Sequence, residues 1–228
     1  MKIIQQYLDQ KQEKLISNSL FDKLKMRESN LEDFAGLAHN ISFWVMSFQD
    51  LLRINLSQIT DKECYELSQQ HLMEDMGHEK WFLHDLKAMN VEQPNLQTLY
   101  SKPHTAVRDA TFSLMSEVFR TTYDYERIIM ILTLESAGHV FFECVADLVE
   151  KNNWNPSLKY FSKYHLDVEK SHDIYEKKIQ LYLNNIQLNH QQENNLLNMI
   201  DRMYKAFSIM FDGLSVALSS SRIVEFAK

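Results

Sequence analysis

Apolar residues recur at three- and four-residue intervals along almost the whole chain, as in Phe43, Met46, Leu51 and Ile54. That spacing follows the 3.6-residue turn of an α-helix, so each such stretch predicts a helix with one face turned to a core. Read this way, the sequence predicts seven helices, over roughly 2–25, 30–56, 61–90, 103–122, 125–152, 156–187 and 190–226. The start signals agree. Thr60 followed by Glu63 reads as a capping box, and Asn155-Pro156 sets a cap residue before a proline at the first helical position. The long break from Asn90 to Pro103 carries two of the three prolines. Each side alone lacks enough helices to close a core around the motifs described below, so the break is read as a loop within one domain spanning 1–228.

Composition sharpens this pattern. Four glycines and three prolines in 228 residues leave too few turn formers for a strand-rich fold, which makes the expectation all-α. At 45% hydrophobic and 24% charged residues, the chain has the make-up of an ordinary soluble globule. A formal charge of −7 offers no basic stripe for phosphates and argues against a nucleic-acid partner. Cys64 and Cys144 lie in helical stretches without a metal-type CxxC pairing, so reduced thiols are expected. The opening MKIIQQYLDQKQEK lacks the apolar core of a signal peptide, and no run approaches the ~18 consecutive apolar residues of a membrane span. These features predict a cytoplasmic protein without a membrane partner.

The candidate chemistry lies in a repeated spacing, His-x3-Asp/Glu-x2-His. It occurs at His71, Asp75 and His78 within HLMEDMGHEKWFLHDL, and again at His165, Glu169 and His172 within YHLDVEKSH. In a continuous helix, positions i, i+4 and i+7 fall within about 60° of one another, so each triplet would project from one face. Mixed imidazole and carboxylate donors suit iron or manganese. A solvated polar face with incidental histidines explains one such triplet about as well, but two copies on separate helices favour metal. Glu135 sits within the almost wholly apolar IIMILTLESAGHVFFECVADL, where a carboxylate must be paired, protonated or metal-bound. We read it as a bridge between metals held by the third and sixth helices. His139, one turn on, is a ligand, a partner orienting one, or a satisfied core histidine. Gly77 and Gly138 each precede a histidine inside a predicted helix and allow close helix approach or backbone access, although packing alone explains them equally.

Seven helices, a lone Glu135 on a middle helix and the late motif at His165, Glu169 and His172 resemble the heme-oxygenase-like diiron oxidases and oxygenases. That family commonly places a Glu and a His seven residues apart on its first ligand helix. Here His78 matches the His, but His71 stands where the Glu belongs, and Asp75 or Glu74 supplies the carboxylate. The resemblance implies a seven-helix heme-oxygenase-like bundle holding two Fe(II) per chain. It also implies O2 as co-substrate and a peroxo species that attacks a small organic molecule. By the same analogy the substrate is an amino acid or derivative, with oxidative cleavage of a tryptophan-type compound to a nitrile as one model. Homodimerisation is left open. The aromatic residues Phe43, Trp44, Phe48, Trp81, Phe82, Phe141, Phe142, Phe207 and Phe211 line an apolar pocket or, for most of them, pack the core.

Three other readings compete. A ferritin-like four-helix diiron protein would use Asp75-x2-His78 and Glu169-x2-His172, but the helix at 30–56 offers only His39 and Gln49 as inward polar candidates. A metal-independent, thiaminase-like hydrolase would use Cys144 as nucleophile, although its apolar neighbours would keep the thiol inert. A metal-sensing or partner-binding helical module would keep the ligands without the chemistry.

Overall fold

The computed structural model describes residues 2–25, 31–153, 158–170 and 173–225, and among these there is no strand. Its helices are α1 (Lys2–Leu15), α2 (Ser19–Lys25), α3 (Leu31–Asn40), α4 (Ser42–Ser57), α5 (Lys62–Glu74) and α6 (His78–Ala88), followed by α7 (Leu96–Leu99) and α8 (Thr105–Arg120). The chain continues through α9 (Asp124–Lys151), α10 (Lys163–Lys170), α11 (Asp173–Asn184) and α12 (His190–Glu225). The all-α expectation therefore holds, while several long predicted helices are divided. Apolar spacing survives each division because both pieces face the same core, so periodicity alone could not reveal the breaks. Asn18 makes the first, its side chain accepting from the Leu20 amide at 2.9 Å and donating to Asp212 at 2.8 Å. The Ser42 hydroxyl, bonded to the His39 carbonyl, marks the second.

The cap signals need correction. Asp61, not Thr60, caps α5, accepting from the Cys64 amide at 2.8 Å. The Thr60 hydroxyl instead donates to Asp124 at 2.8 Å, and the same carboxylate oxygen takes the Asp61 amide at 2.7 Å. One acidic side chain thus ties the start of α9 to the start of α5, the two helices that carry the site. The Asn155-Pro156 signal lies outside the described residues. The Asn90–Pro103 stretch holds α7 and a 3-10 turn, and Arg108 pins it to α8 by donating to the Leu99 and Ser101 carbonyls at 2.7 and 2.8 Å.

Helix α9 is the centre of the bundle. Ile128, Ile129, Met130 and Ile131 are all buried, so this stretch faces protein on every side, as an apolar all-round sequence requires. By length and composition α9 could also cross a membrane, yet 56% of its apolar window is buried here by neighbouring helices. Helix α12 packs across α8, α3, α9 and α2. Phe211 on α12 meets Phe21 of α2 edge-on at 5.1 Å and lies parallel to Phe141 of α9 at 5.8 Å. Burying each such ring contributes roughly 1.5–3 kcal/mol. Met46, part of the predicted apolar face of α4, points outward at 39% exposure.

Histidine is the polar exception in this core. His104 is buried against His39 with ring centroids 5.3 Å apart. Burial, with the nearby His39 and Arg108 charges, pushes its pKa down to about 4. The unfolded chain, whose His titrates near 6.5, therefore takes up a proton that the fold refuses between those values. Stability should fall by up to about 3 kcal/mol as pH drops through this window, and level below it for this group. Urea midpoints across that window should vary less in His104→Gln.

Candidate metal centre

His71, on the last turn of α5, projects into the bundle beside Glu135 of α9. Its Nε2 lies 2.9 Å from Asp75 Oδ2 and 3.2 Å from Glu135 Oε1. The other Asp75 oxygen, Oδ1, accepts from His78 Nδ1 at 3.1 Å. Asp75 is thus the carboxylate of this segment that meets both histidines. Glu74 accepts from Gln70 at 2.8 Å. One donor atom each from His71, Asp75 and Glu135 fit within a 4.8 Å span, the compactness a single cation needs. His71 and Asp75 are almost fully buried, whereas Glu135 keeps 36% of its side chain exposed, toward a cavity. Glu135, expected to be paired, protonated or metal-bound, lies against His71 and is less buried than its apolar sequence implies.

Electrostatics follow from this geometry. Burial alone would lower the His71 pKa, but the Asp75 and Glu135 carboxylates outweigh it and hold the imidazolium well above its usual range. Burial likewise works against the charged form of Asp75, and His71 and His78 overcome it, so that carboxyl stays well below its ordinary value. Two carboxylate oxygens thus converge on one imidazole nitrogen, whose charged form they favour. A divalent cation could take the proton's place.

The continuous helix predicted for 61–90 does not occur. Helix α5 stops at Glu74, Asp75 is its C-cap, and Gly77 turns the chain at φ +102° before α6 starts at His78. His78 therefore does not reach the site as i+7 of one helix. It is re-aimed by a left-handed turn that only glycine adopts readily. The Gly77 amide donates to Glu79 at 3.1 Å, closing the start of α6. Gly77→Ala should destabilise the fold by about 1–2 kcal/mol and weaken the His78–Asp75 contact. Thermal denaturation and the chemical shifts of the His78 ring would measure both effects.

The second triplet is partly described. His165 on α10 is buried, its ring 4.6 Å from His78 and 4.2 Å from Phe142. His165 Nδ1 sits 3.0 Å from the Tyr160 carbonyl, which makes Nδ1 the protonated nitrogen and leaves Nε2 as the donor side of the ring. Glu169 lies on α10 one turn later, but its side chain is outside the described residues, as is all of His172. The pairing of the two triplets is therefore visible at His78 and His165.

A residue that the sequence reading missed holds this arrangement. Asp85, fully buried on α6, accepts the backbone amides of Lys159 at 2.8 Å and Phe161 at 3.0 Å. It fastens the turn whose Tyr160 carbonyl orients His165. The signal was present: Asp85 stands seven residues after His78, inside an apolar WFLHDL run that demanded a partner for any carboxylate.

A cavity of about 80 Å³ opens beside the cluster, with Asp75, His78, Glu135 and His165 in its wall. Of the aromatic candidates, Trp44, Phe48 and Phe142 line it. Phe43, Phe82, Phe141, Phe207 and Phe211 are buried in the core, and Trp81 lies against His78 with centroids 4.5 Å apart. His139 also reaches the cavity but pairs with Glu143 at 3.0 Å rather than joining the cluster. A larger cleft of about 190 Å³ between α8 and α12 contains Glu117, Arg120 and Arg202. These charges already satisfy one another, with the Arg202 fork on Glu117 at 2.9 and 2.7 Å. Neither cysteine is poised as a nucleophile. Burial pushes the Cys144 thiol up to about 11 and the Cys64 thiol up to about 12. The chain matches no protein-family model and no curated protein.

Proposed function

We propose that the protein is a non-heme diiron oxidase or oxygenase on a heme-oxygenase-like bundle, acting on a small organic substrate of amino-acid type. The observation that carries the reading is the compact group His71–Asp75–Glu135, next to His78 and the oriented His165. Two carboxylates on an imidazole, with no thiolate among them, are the donor chemistry of iron or manganese sites. His71, Asp75, Glu135 and His78 would hold one side of the centre, and His165, Glu169 and His172 the other. When bound, the two ferrous ions supply the electrons that activate O2.

The chain's own residues do the rest. Trp44, Phe48 and Phe142 give the cavity beside Glu135 an apolar wall for a substrate to lie against. Tyr160 fixes the His165 tautomer, and Asp75 orients the rings of His71 and His78 through its two oxygens. His71 must release its proton for a cation to enter, so metal affinity should strengthen as pH rises, by up to about tenfold per unit for one displaced proton. The gain should level off once pH passes the raised His71 pKa. Anaerobic Fe(II) titrations between about pH 6 and 8 would measure this. Oxygen uptake after loading should disappear on chelation and in Glu135→Ala. Uptake indifferent to both would overturn the proposal. The cysteine-hydrolase alternative is disfavoured by the raised Cys144 pKa.

A further inference from the structure

The chain's four glycines separate by what surrounds them. Gly77 serves a left-handed turn, and Gly213 on α12 faces Ala106 of α8 so closely that a Cβ would collide with it. Gly36 and Gly138 differ. A Cβ at Gly36 would meet nothing within 4 Å, and one at Gly138 only the edge of Phe142 at 3.9 Å. A glycine inside a helix is less stable than alanine, so a position with room for a methyl group calls for another reason. Gly138 sits in α9 one turn after Glu135 and forms part of the cavity wall. Here the missing side chain keeps volume beside the His71–Asp75–Glu135 group.

The same wall contains Gln49, whose side-chain Nε2 is buried without a hydrogen-bond partner. A buried amide donor left unmade is costly, and a ligand oxygen would satisfy it once the side chain turns toward the cavity. The carboxylates of Asp75, Glu79 and Glu135 line this cavity, and among the described residues no Lys or Arg does. His78, His139 and His165 also line it, but they lie against Asp75, Glu143 and the Tyr160 carbonyl, so an anionic group at Gln49 would face carboxylates with no lysine or arginine to hold it. A volume of about 80 Å³ is roughly half of the ~150 Å³ that accommodates benzene, so the enclosed part of a ligand has about three heavy atoms.

We propose that this cavity binds the uncharged, hydrogen-bond-accepting end of a short aliphatic ligand. Gln49 donates to its carbonyl oxygen, and Gly138 leaves room for its body. As a statement about the substrate, this rests on the metal-dependent reading above, but the binding itself does not. It is tested on chelated, metal-free protein, so its failure and that of the diiron reading are separable.

Propanamide titrated into the isotope-labelled full chain should shift the Gln49 side-chain amide signal saturably, in about the millimolar range. Propanoate should bind at least tenfold more weakly. Gly138→Ala should raise the melting temperature by about 2–4 °C and weaken propanamide about tenfold, because a methyl occupies a volume close to a water's ~30 Å³. Gly36→Ala should raise the melting temperature without changing binding. Gln49→Leu should fold and lose saturable propanamide binding without gaining propanoate. Equal binding of propanamide to Gly138→Ala and the parent, tighter binding of propanoate, or no saturable shift at all would each overturn the proposal. A lowered melting temperature in Gly138→Ala would do the same, by showing that the glycine serves packing.

Discussion

Asp75→Ala should cost the metal-free fold about 3 kcal/mol and abolish stable iron loading. The two oxygens of Asp75 meet both histidines of the first triplet, at 2.9 and 3.1 Å. Removing it leaves His71 buried with Glu135 as its remaining carboxylate partner in the cluster, and the His71 pKa should fall back toward the ordinary range. The sign of the pH dependence follows. A histidine whose folded pKa is raised adds stability below its unfolded value near 6.5 and loses it as pH rises through the folded pKa. The parent should therefore lose stability above neutrality on this account, and Asp75→Ala should show a flatter alkaline limb. Urea denaturation across pH, with the His71 ring titrated by NMR, reads both effects.

Asp85→Ala should be nearly as damaging to the fold, at about 3 kcal/mol, because it leaves the Lys159 and Phe161 amides without their acceptor. Its effect on the site should differ in kind. The 158–162 turn would loosen and the Tyr160–His165 contact with it, while His71, Asp75 and Glu135 keep their places. Iron per chain should fall from two toward one, with the His71 titration unchanged. A variant that merely unfolds would lose both together, so the His71 titration separates a positioning role from general instability. Asp85→Asn, which keeps the volume and one acceptor oxygen, should recover part of the loss.

How much of this was legible in the sequence depends on what each residue needed. Helical content was legible because apolar spacing reports burial directly, and α9 and α12 lie within about a residue of their predicted ends. The breaks at Asn18, Ile41 and Gly77 were not, since a core that continues across a turn leaves the apolar pattern intact. His71, Asp75 and Glu135 were found by chemistry, as polar groups that must be satisfied together. The geometric argument that selected them was partly wrong. Asp75 caps a helix end and His78 begins another, so their meeting depends on Gly77 rather than on a shared helical face. Asp85 escaped because its partners are backbone amides 74 and 76 residues away, and backbone donors carry no mark in a sequence. Gln49 was visible only as an inward polar residue. Its place in the cavity needed the fold.

The most direct measurement is iron stoichiometry by Mössbauer spectroscopy on protein loaded anaerobically with 57Fe(II), in the parent, His71→Ala and Glu135→Ala. The account predicts about two ferrous ions per chain in two nitrogen- and oxygen-ligated environments, with loading lost in both variants. A parent that takes up no iron, or iron retained in full by both variants, would contradict it.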